Sequence, residues 1–148
     1  MQALTDKRVL EILGGPKAVG SPIQSAVEMA DAIRQGLSKA SLLSVKHRAA
    51  LTDRQLAAML GISEKTLGRI KDDEGRRLDA VSSDRLYRLA RIFAIAEHAL
   101  ESAEAAHEWL HHPQVGLGNQ VPLDCLQTEV GAREVENLLG RIEYGVFS

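Results

Sequence analysis

The sequence predicts an all-α protein. Of its 148 residues, 45% are hydrophobic but only 3% are aromatic, so the interior must be built mostly from Leu, Ile, Val and Ala. Alternating runs of β-branched residues, which are typical of strands, are nearly absent, and there are only four prolines. This composition favours helices packed on helices, in one domain or in two small ones.

Residues 1–23 are predicted to form an N-terminal extension. A short helix-like segment, Thr5 to Leu13, is stopped by the Gly-Gly-Pro sequence at positions 14–16. The segment lies at a chain end and its apolar pattern is weak, so the sequence assigns it no role.

Two amphipathic helices are predicted next. The first runs from Ile23 to about Gln35 and ends at Gly36, and the second runs from Ser38 to Leu51. The residues expected on the buried sides are Ile23, Val27, Ala30 and Ile33 in the first helix, and Leu42, Leu43 and Val45 in the second.

Residues Thr52 to Lys71 have the pattern of a helix-turn-helix. Thr52 and Gln55 are spaced as a capping box at the start of the first helix. Gly61 stands where the turn needs a positive φ, and Ser63 is placed to cap the second helix. The apolar residues expected between the two helices are Leu56, Leu60, Ile62, Leu67 and Ile70.

The polar side of the second helix is expected to meet DNA. Such a helix enters the major groove and meets base edges near its start. The residues predicted to contact DNA are Gln55, Ser63, Glu64, Lys65, Arg69 and Lys71. Lys65 and Arg69 are expected to carry much of the base or phosphate contact. The alternative is an ordinary helical hairpin, because glycine-containing turns between amphipathic helices are common.

The formal net charge of −2 is unevenly distributed. Residues 1–45 carry five basic and four acidic groups, residues 46–91 carry eleven basic and seven acidic groups (net +4), and residues 92–148 carry two basic and nine acidic groups (net −7). The basic excess surrounds the helix-turn-helix, where it would attract phosphates. The acidic excess is expected to avoid DNA, and it indicates either a basic partner or simply solvated helix faces.

The second half of the chain is predicted to contain four helices. A solvated connector, Asp72 to Arg77, leads to a long helix that begins at Ser82-Ser83-Asp84. This helix carries a basic stripe formed by Arg85, Arg88 and Arg91, which is expected either to favour solubility or to contact the DNA backbone. Arg76 and Arg77 in the connector are also expected to reach the DNA backbone. Further helices are predicted at Ala103–His111, Leu123–Gln127 and about Ala132–Tyr144.

Several classes of site are not expected. Cys125 is the single cysteine, so no intrachain disulfide can form and a cytoplasmic location is predicted. No apolar stretch approaches membrane-spanning length. His107 and His111 have the spacing of a helical metal pair, but no clear third ligand accompanies them. Without a convergent acid, base and nucleophile, we expect no enzyme, no cofactor and no metal.

The C-terminal sequence supplies a resemblance. It contains Trp-Leu at 109–110, Pro-Leu-Asp at 122–124, Gly-Ala-Arg-Glu-Val-Glu at 131–136 and Gly-Arg-Ile-Glu-Tyr-Gly-Val at 140–146. Together with the helix-turn-helix, these elements resemble the Xre/MbcA/ParS antitoxin family, the DNA-binding partners of RES-domain toxins. The resemblance covers about residues 24–148. Cys125 and the Val-Gly pair at 115–116 depart slightly from the family's pattern.

The resemblance implies an Xre-like helix-turn-helix domain at 24–81 and a small helical toxin-binding domain at 82–148. The chain would neutralise an NAD-degrading or ADP-ribosylating RES-domain toxin by covering its active site, and would repress its own operon. The residues expected to contact the toxin are Arg133, Glu134, Arg141, Glu143, Tyr144, Val146, Phe147 and Ser148. A homodimer is expected, because one helix-turn-helix reads only a half-site. The alternative is a stand-alone repressor whose C-terminal module only dimerises.

Overall fold

The structure, a computed structural model, describes residues 2–145, with side chains described from residue 6 onward. Within this range it is helical and contains no strand, which confirms the all-α prediction. The helices are α1 Gln2–Ile12, α2 Gly15–Val19, α3 Ala26–Gln35, α4 Lys39–Arg48, α5 Asp53–Leu60, α6 Glu64–Asp72, α7 Ala80–Leu100, α8 Ala103–His111, α9 Pro122–Cys125 and α10 Glu129–Glu143, with a 3-10 helix at Val115–Leu117. None of the helices in the described range is long and apolar enough to cross a bilayer.

The chain forms two compact units that divide between Ala90 and Arg91, inside α7. The predicted division lay between residues 81 and 82, where Ser82-Ser83-Asp84 was expected to start a helix. Instead α7 begins at Ala80, and the Asp79 carboxylate accepts a hydrogen bond from the Ser82 amide at 2.7 Å. The Ser83 hydroxyl is buried and accepts a hydrogen bond from the Leu37 amide at 2.8 Å. The first turns of α7 therefore belong to the N-terminal unit.

The described part of residues 1–23 is an integral part of the N-terminal unit. Helices α1 and α2 both pack on α4. The Ser44 hydroxyl donates a hydrogen bond to the Ile12 carbonyl at 2.8 Å, and the Ser38 hydroxyl donates one to the Ala18 carbonyl at 2.5 Å. From residue 6 onward, the buried side chains of this segment are Val9, Ile12, Leu13 and Val19. This segment therefore contributes to the core and is not a separate extension.

The buried side of α3 differs from the prediction. The helix is capped by Ser25, whose hydroxyl accepts a hydrogen bond from the Glu28 amide at 3.1 Å. It buries Met29 and Ala32, while Val27 is 70% exposed. The apolar residues of this short helix cover more than half of its circumference, so their spacing alone does not decide which of them are buried. In α4 Leu42 and Val45 are buried as predicted, but Leu43 is exposed.

The C-terminal unit is built from the second half of α7 with α8, α9 and α10. Its core includes Phe93, whose ring stacks on that of His107 with centroids 5.0 Å apart. On α10, Val135 and Leu139 are fully buried as the sequence pattern predicted. Leu138 and Ile142, predicted on the same stripe, are only half-buried.

Helix α10 starts three residues before its predicted start at Ala132. Thr128 caps it, and its hydroxyl accepts a hydrogen bond from the Gly131 amide at 3.0 Å. Gly131 faces the end of α9 so closely that a Cβ atom there would overlap the Cys125 carbonyl oxygen. Glycine at this position therefore permits the contact between α9 and α10 and does not mark the start of a helix.

Candidate functional surfaces

The helix-turn-helix forms as predicted in the N-terminal unit. The Thr52 hydroxyl accepts a hydrogen bond from the Gln55 amide at 3.1 Å, and the Gln55 side-chain oxygen accepts one from the Thr52 amide at 2.9 Å. Gly61 adopts the expected positive φ of 72° in the turn. The Ser63 hydroxyl then caps α6 by accepting a hydrogen bond from the Thr66 amide at 3.0 Å.

Arg85 fixes this turn from α7. Its Nη1 donates a hydrogen bond to the Leu60 carbonyl at 2.9 Å, at the end of α5. The guanidinium lies so close to Gly61 that a Cβ atom there would overlap it. The other arginines of the predicted basic stripe also have acidic neighbours, because Arg88 Nη2 lies 4.0 Å from an Asp84 oxygen and Arg91 Nε lies 3.2 Å from a Glu136 oxygen. The stripe therefore binds groups of the protein itself.

Lys71, predicted to contact DNA, holds α6 against the neighbouring helices. Its Nζ donates a hydrogen bond to Asp53 Oδ2 at 2.9 Å, and Lys46 Nζ lies 3.5 Å from Asp53 Oδ1. One carboxylate at the start of α5 thus ties together α4, α5 and α6. The hydrogen bond from Lys71 and the positive charges of Lys71 and Lys46 outweigh partial burial and lower the pKa of Asp53.

This linkage gives a prediction for stability against pH. Because the pKa of Asp53 is lower in the folded state, its ion pairs stabilise the fold above the unfolded-state pKa of about 4, and the effect disappears as pH falls through the folded-state pKa. We expect Asp53→Asn to lower the free energy of unfolding by about 0.5 kcal/mol at pH 7, since the three side chains are partly exposed. Wild type and variant should converge near pH 2.

Urea unfolding at several pH values measures this difference. Asp72→Asn is the control, since Asp72 is exposed and has no ion-pair partner among residues 2–145. If the free energy of unfolding of the wild type exceeds that of Asp53→Asn by the same amount at pH 7 and near pH 2, the role given to the Asp53 carboxylate is contradicted.

The outer face of α6 presents Lys65 and Arg69. They lie four residues apart on the side opposite the buried Leu67 and Ile70, and neither side chain has an ion-pair or hydrogen-bond partner among the described residues. Gly68 lies beside them, and a Cβ atom there would meet no atom within 4 Å apart from its chain neighbours and the backbone of its own helix. Packing within the N-terminal unit therefore does not require a glycine in this face.

A second surface, the α10 stripe, lies in the C-terminal unit. At about 100° per residue, its members fall within about 40° of a single line along the helix. They are Val130, Glu134, Asn137, Arg141 and Tyr144. Val130 and Tyr144 form the two apolar ends of the stripe and are 75% and 72% exposed, respectively. Neither Glu134 nor Arg141 has an ion-pair partner within residues 2–145.

The residues predicted to contact a toxin do not all lie on this stripe. Glu143 faces α7, where its Oε1 lies 2.9 Å from His98 Nε2. Arg133 lies at the stripe's edge and reaches Glu129 Oε1 at 3.3 Å. The predicted residues Val146, Phe147 and Ser148 lie outside the described residues. Val130 and Asn137, which the sequence prediction did not name, also lie on this stripe, opposite Val135 and Leu139 on a helical wheel.

The remaining candidates from the sequence are the possible metal ligands and Cys125. No cluster of three or more His, Cys, Asp or Glu side chains among the described residues is arranged to hold a metal ion. The Cys125 thiol lies 3.6 Å from the side-chain oxygen of Gln120, and burial together with the neighbouring Asp124 carboxylate raises its pKa. A raised pKa lowers the thiolate fraction, so this thiol is not activated as a nucleophile.

A helix-turn-helix unit followed by a second helical unit defines a two-part helix-turn-helix protein. Residues 28–91 match the family model of the antitoxin Xre-like helix-turn-helix domain, and residues 96–145 match that of the antitoxin Xre/MbcA/ParS C-terminal toxin-binding domain. The chain is 31% identical over 133 residues to Antitoxin Xre of Yersinia enterocolitica, covering 89% of each chain. The chain therefore belongs to the Antitoxin Xre family.

One further relative agrees with this assignment, and one solved structure shares the fold. Antitoxin Xre of Pseudomonas putida is 31% identical over 124 residues, covering 83% of this chain and 76% of that protein. A chain of the Mycobacterium tuberculosis MbcT–MbcA toxin–antitoxin complex superposes with a TM-score of 0.53 and 22% identity, covering 72% of this chain and 94% of that one. The structural match supports the fold.

Proposed function

We propose that this chain neutralises a RES-domain toxin that degrades NAD or transfers ADP-ribose from it, and that it represses the operon encoding both proteins. The observation that carries the toxin-binding part is the α10 stripe, an exposed face with apolar ends inside the region that matches the toxin-binding domain. The proposal assigns this chain no catalytic activity, no cofactor and a cytoplasmic location.

The charge of the C-terminal region supports this kind of partner. Residues 92–148 carry nine acidic and two basic groups. A cleft that binds a dinucleotide usually presents positive groups to the phosphates, so an acidic domain can cover it with favourable electrostatics. Val130 and Tyr144 would supply the apolar contacts that dominate binding energy at many interfaces.

Co-expression tests the toxin-binding part. Induction of the toxin gene adjacent to the gene for this chain should lower cellular NAD and stop growth, and co-expression of this chain should restore both. The two proteins should also co-purify. If no neighbouring gene product binds this chain, and the chain still protects a palindromic DNA site, the alternative of a stand-alone repressor with a dimerising C-terminal module would replace the proposal.

The outer face of α6 is proposed to bind operator DNA. One helix-turn-helix reads a half-site, so the DNA-bound form is proposed to be a homodimer within a larger toxin–antitoxin complex. Gln55, Ser63 and Glu64 lie at the helix starts that meet the groove first. Lys71 is proposed to act mainly by holding α6 in place through Asp53, since its ammonium is already paired.

We expect Lys65→Ala combined with Arg69→Ala to weaken operator binding by roughly 30-fold or more, because each lost contact to a base or phosphate costs about 1–3 kcal/mol. Fluorescence anisotropy with a labelled operator duplex measures this change. Lys7→Ala combined with Lys17→Ala removes the same charge from exposed positions on α1 and α2 and serves as the control. Equal operator affinity for both double variants would assign DNA binding to another surface.

A further inference from the structure

An open cavity of about 540 Å³ lies in the N-terminal unit, between the start of α4 and the loop that follows α6. Its charged lining consists of Lys39, Arg76, Arg77 and Glu74, three basic groups and one acidic group. Ser38, Ala40, Leu43 and Gly75 complete the walls. The cavity has no part in the α6 face described above.

The walls of this cavity are fixed by hydrogen bonds. The Leu78 amide donates to the Leu37 carbonyl at 2.9 Å, and Arg77 Nη1 donates to the Gly36 carbonyl at 2.9 Å. These bonds join the loop after α6 to the start of α4. Arg77 is therefore part of the wall, while the Arg76 guanidinium is exposed and has no ion-pair partner among residues 2–145.

Glu74 forms an ion pair with Lys39, the third basic residue of the cavity. Its Oε1 lies 3.0 Å from Lys39 Nζ, and their side chains are 92% and 18% exposed, respectively. The carboxylate is thus a solvated group resting on a more enclosed ammonium. Because the carboxylate remains solvated, this ion pair is weak enough for a competing anion to displace it.

We propose that this cavity binds a phosphate of the DNA backbone through Lys39 and Arg76, and that Glu74 competes for the same ammonium in the free protein. The inference rests on the proposed DNA binding by α6. In the proposed complex the start of α6 enters the major groove, and a nine-residue helix is about 13 Å long against a groove about 12 Å wide. Residues just past the end of α6 would therefore lie beside a phosphate backbone. Asp72 and Asp73, also exposed there, do not line the cavity.

Binding of the full chain to a short duplex of arbitrary sequence, measured by anisotropy over a range of salt concentrations, tests this proposal. Lys39→Gln and Arg76→Gln should each lower the association constant roughly threefold to tenfold at low salt and reduce the salt slope by about 0.9, the value for one phosphate contact. Glu74→Gln should raise the association constant about twofold to fivefold, because the competing carboxylate is removed. In the Lys39→Gln background, Glu74→Gln should have little effect.

The exposed ion pair between Asp31 and Arg34 on α3 provides matched controls. Asp31→Asn and Arg34→Gln make the same charge changes, and their effects should be smaller and additive. Thermal melts followed by circular dichroism establish that each variant is folded.

Three results would overturn the proposal. In the first, wild type binds the duplex, but substitutions at Lys39 and Glu74 change the association constant no more than those at Arg34 and Asp31. That result would leave DNA binding by α6 intact. In the second, inorganic phosphate added at constant ionic strength raises the melting temperature of the wild type, and Lys39→Gln abolishes this increase. That result would assign the cavity to a small phosphorylated ligand. The third is failure of the wild type to bind DNA, which would overturn the proposed DNA binding as well.

Discussion

Exchanging the two unpaired charges of the α10 stripe, Glu134→Arg with Arg141→Glu, is expected to abolish toxin neutralisation while operator binding is retained. The exchange leaves the net charge unchanged but reverses the sign of both charges that the proposed interface would present to the partner. Charged groups at the centre of an interface typically cost about 2 kcal/mol or more when mismatched, which corresponds to roughly 30-fold in affinity. Rescue of growth in the co-expression assay and a binding titration with purified toxin measure the effect.

The control for this experiment is Glu104→Arg, an exposed charge reversal at the start of α8 in the same unit. It should neutralise the toxin as wild type does. If the folded Glu134→Arg/Arg141→Glu variant still neutralises the toxin, the centre of the α10 stripe is excluded from the interface. The net negative charge would then be the only contribution of the C-terminal unit to toxin binding that this proposal retains.

Replacing Gly131 with alanine is expected to destabilise the C-terminal unit by about 2–4 kcal/mol, because the nearest atoms that the added methyl group meets are backbone atoms. Besides overlapping the Cys125 carbonyl oxygen, the new Cβ atom would lie 2.9 Å from the Cys125 carbonyl carbon. Helices α9 and α10 would have to separate. The measurement is thermal unfolding by circular dichroism, and neutralisation should be lost with stability.

Gly140→Ala is a matched control on the same helix. A Cβ atom at Gly140 would meet nothing within 4 Å, so alanine there should stabilise α10 by about 0.5–1 kcal/mol through its higher helix propensity. Opposite signs for the two substitutions would confirm that contact with α9, and not helix propensity, explains the glycine at 131. Two stabilised variants would contradict the close packing of α9 on α10.

The helix-turn-helix was largely predictable from the sequence because its signals are local. The capping roles of Thr52, Gln55 and Ser63 and the positive φ of Gly61 depend on residues within four positions along the chain. Local hydrogen bonds of this kind leave a readable pattern in the sequence. The same holds for Val135 and Leu139, whose spacing placed them correctly on the buried side of α10.

The roles that the sequence did not predict depend on distant residues. Lys71 was assigned to DNA, but its ammonium binds Asp53, which lies eighteen positions earlier. Arg85 was assigned to a basic stripe, but it binds the Leu60 carbonyl, twenty-five positions earlier. A basic residue near a helix-turn-helix has the same appearance in a sequence whether its partner is a phosphate or a group of the protein.

The packing of α1 and α2 on α4 has a practical consequence for dissecting this protein. A fragment cut at residue 28, where the match to the helix-turn-helix family begins, would strip away Val9, Ile12, Leu13 and Val19. It would also leave the hydroxyls of Ser38 and Ser44 without the carbonyl groups they bind. The start of this family match is therefore not the start of an autonomously folding piece, and a fragment made to test DNA binding should retain the first two helices.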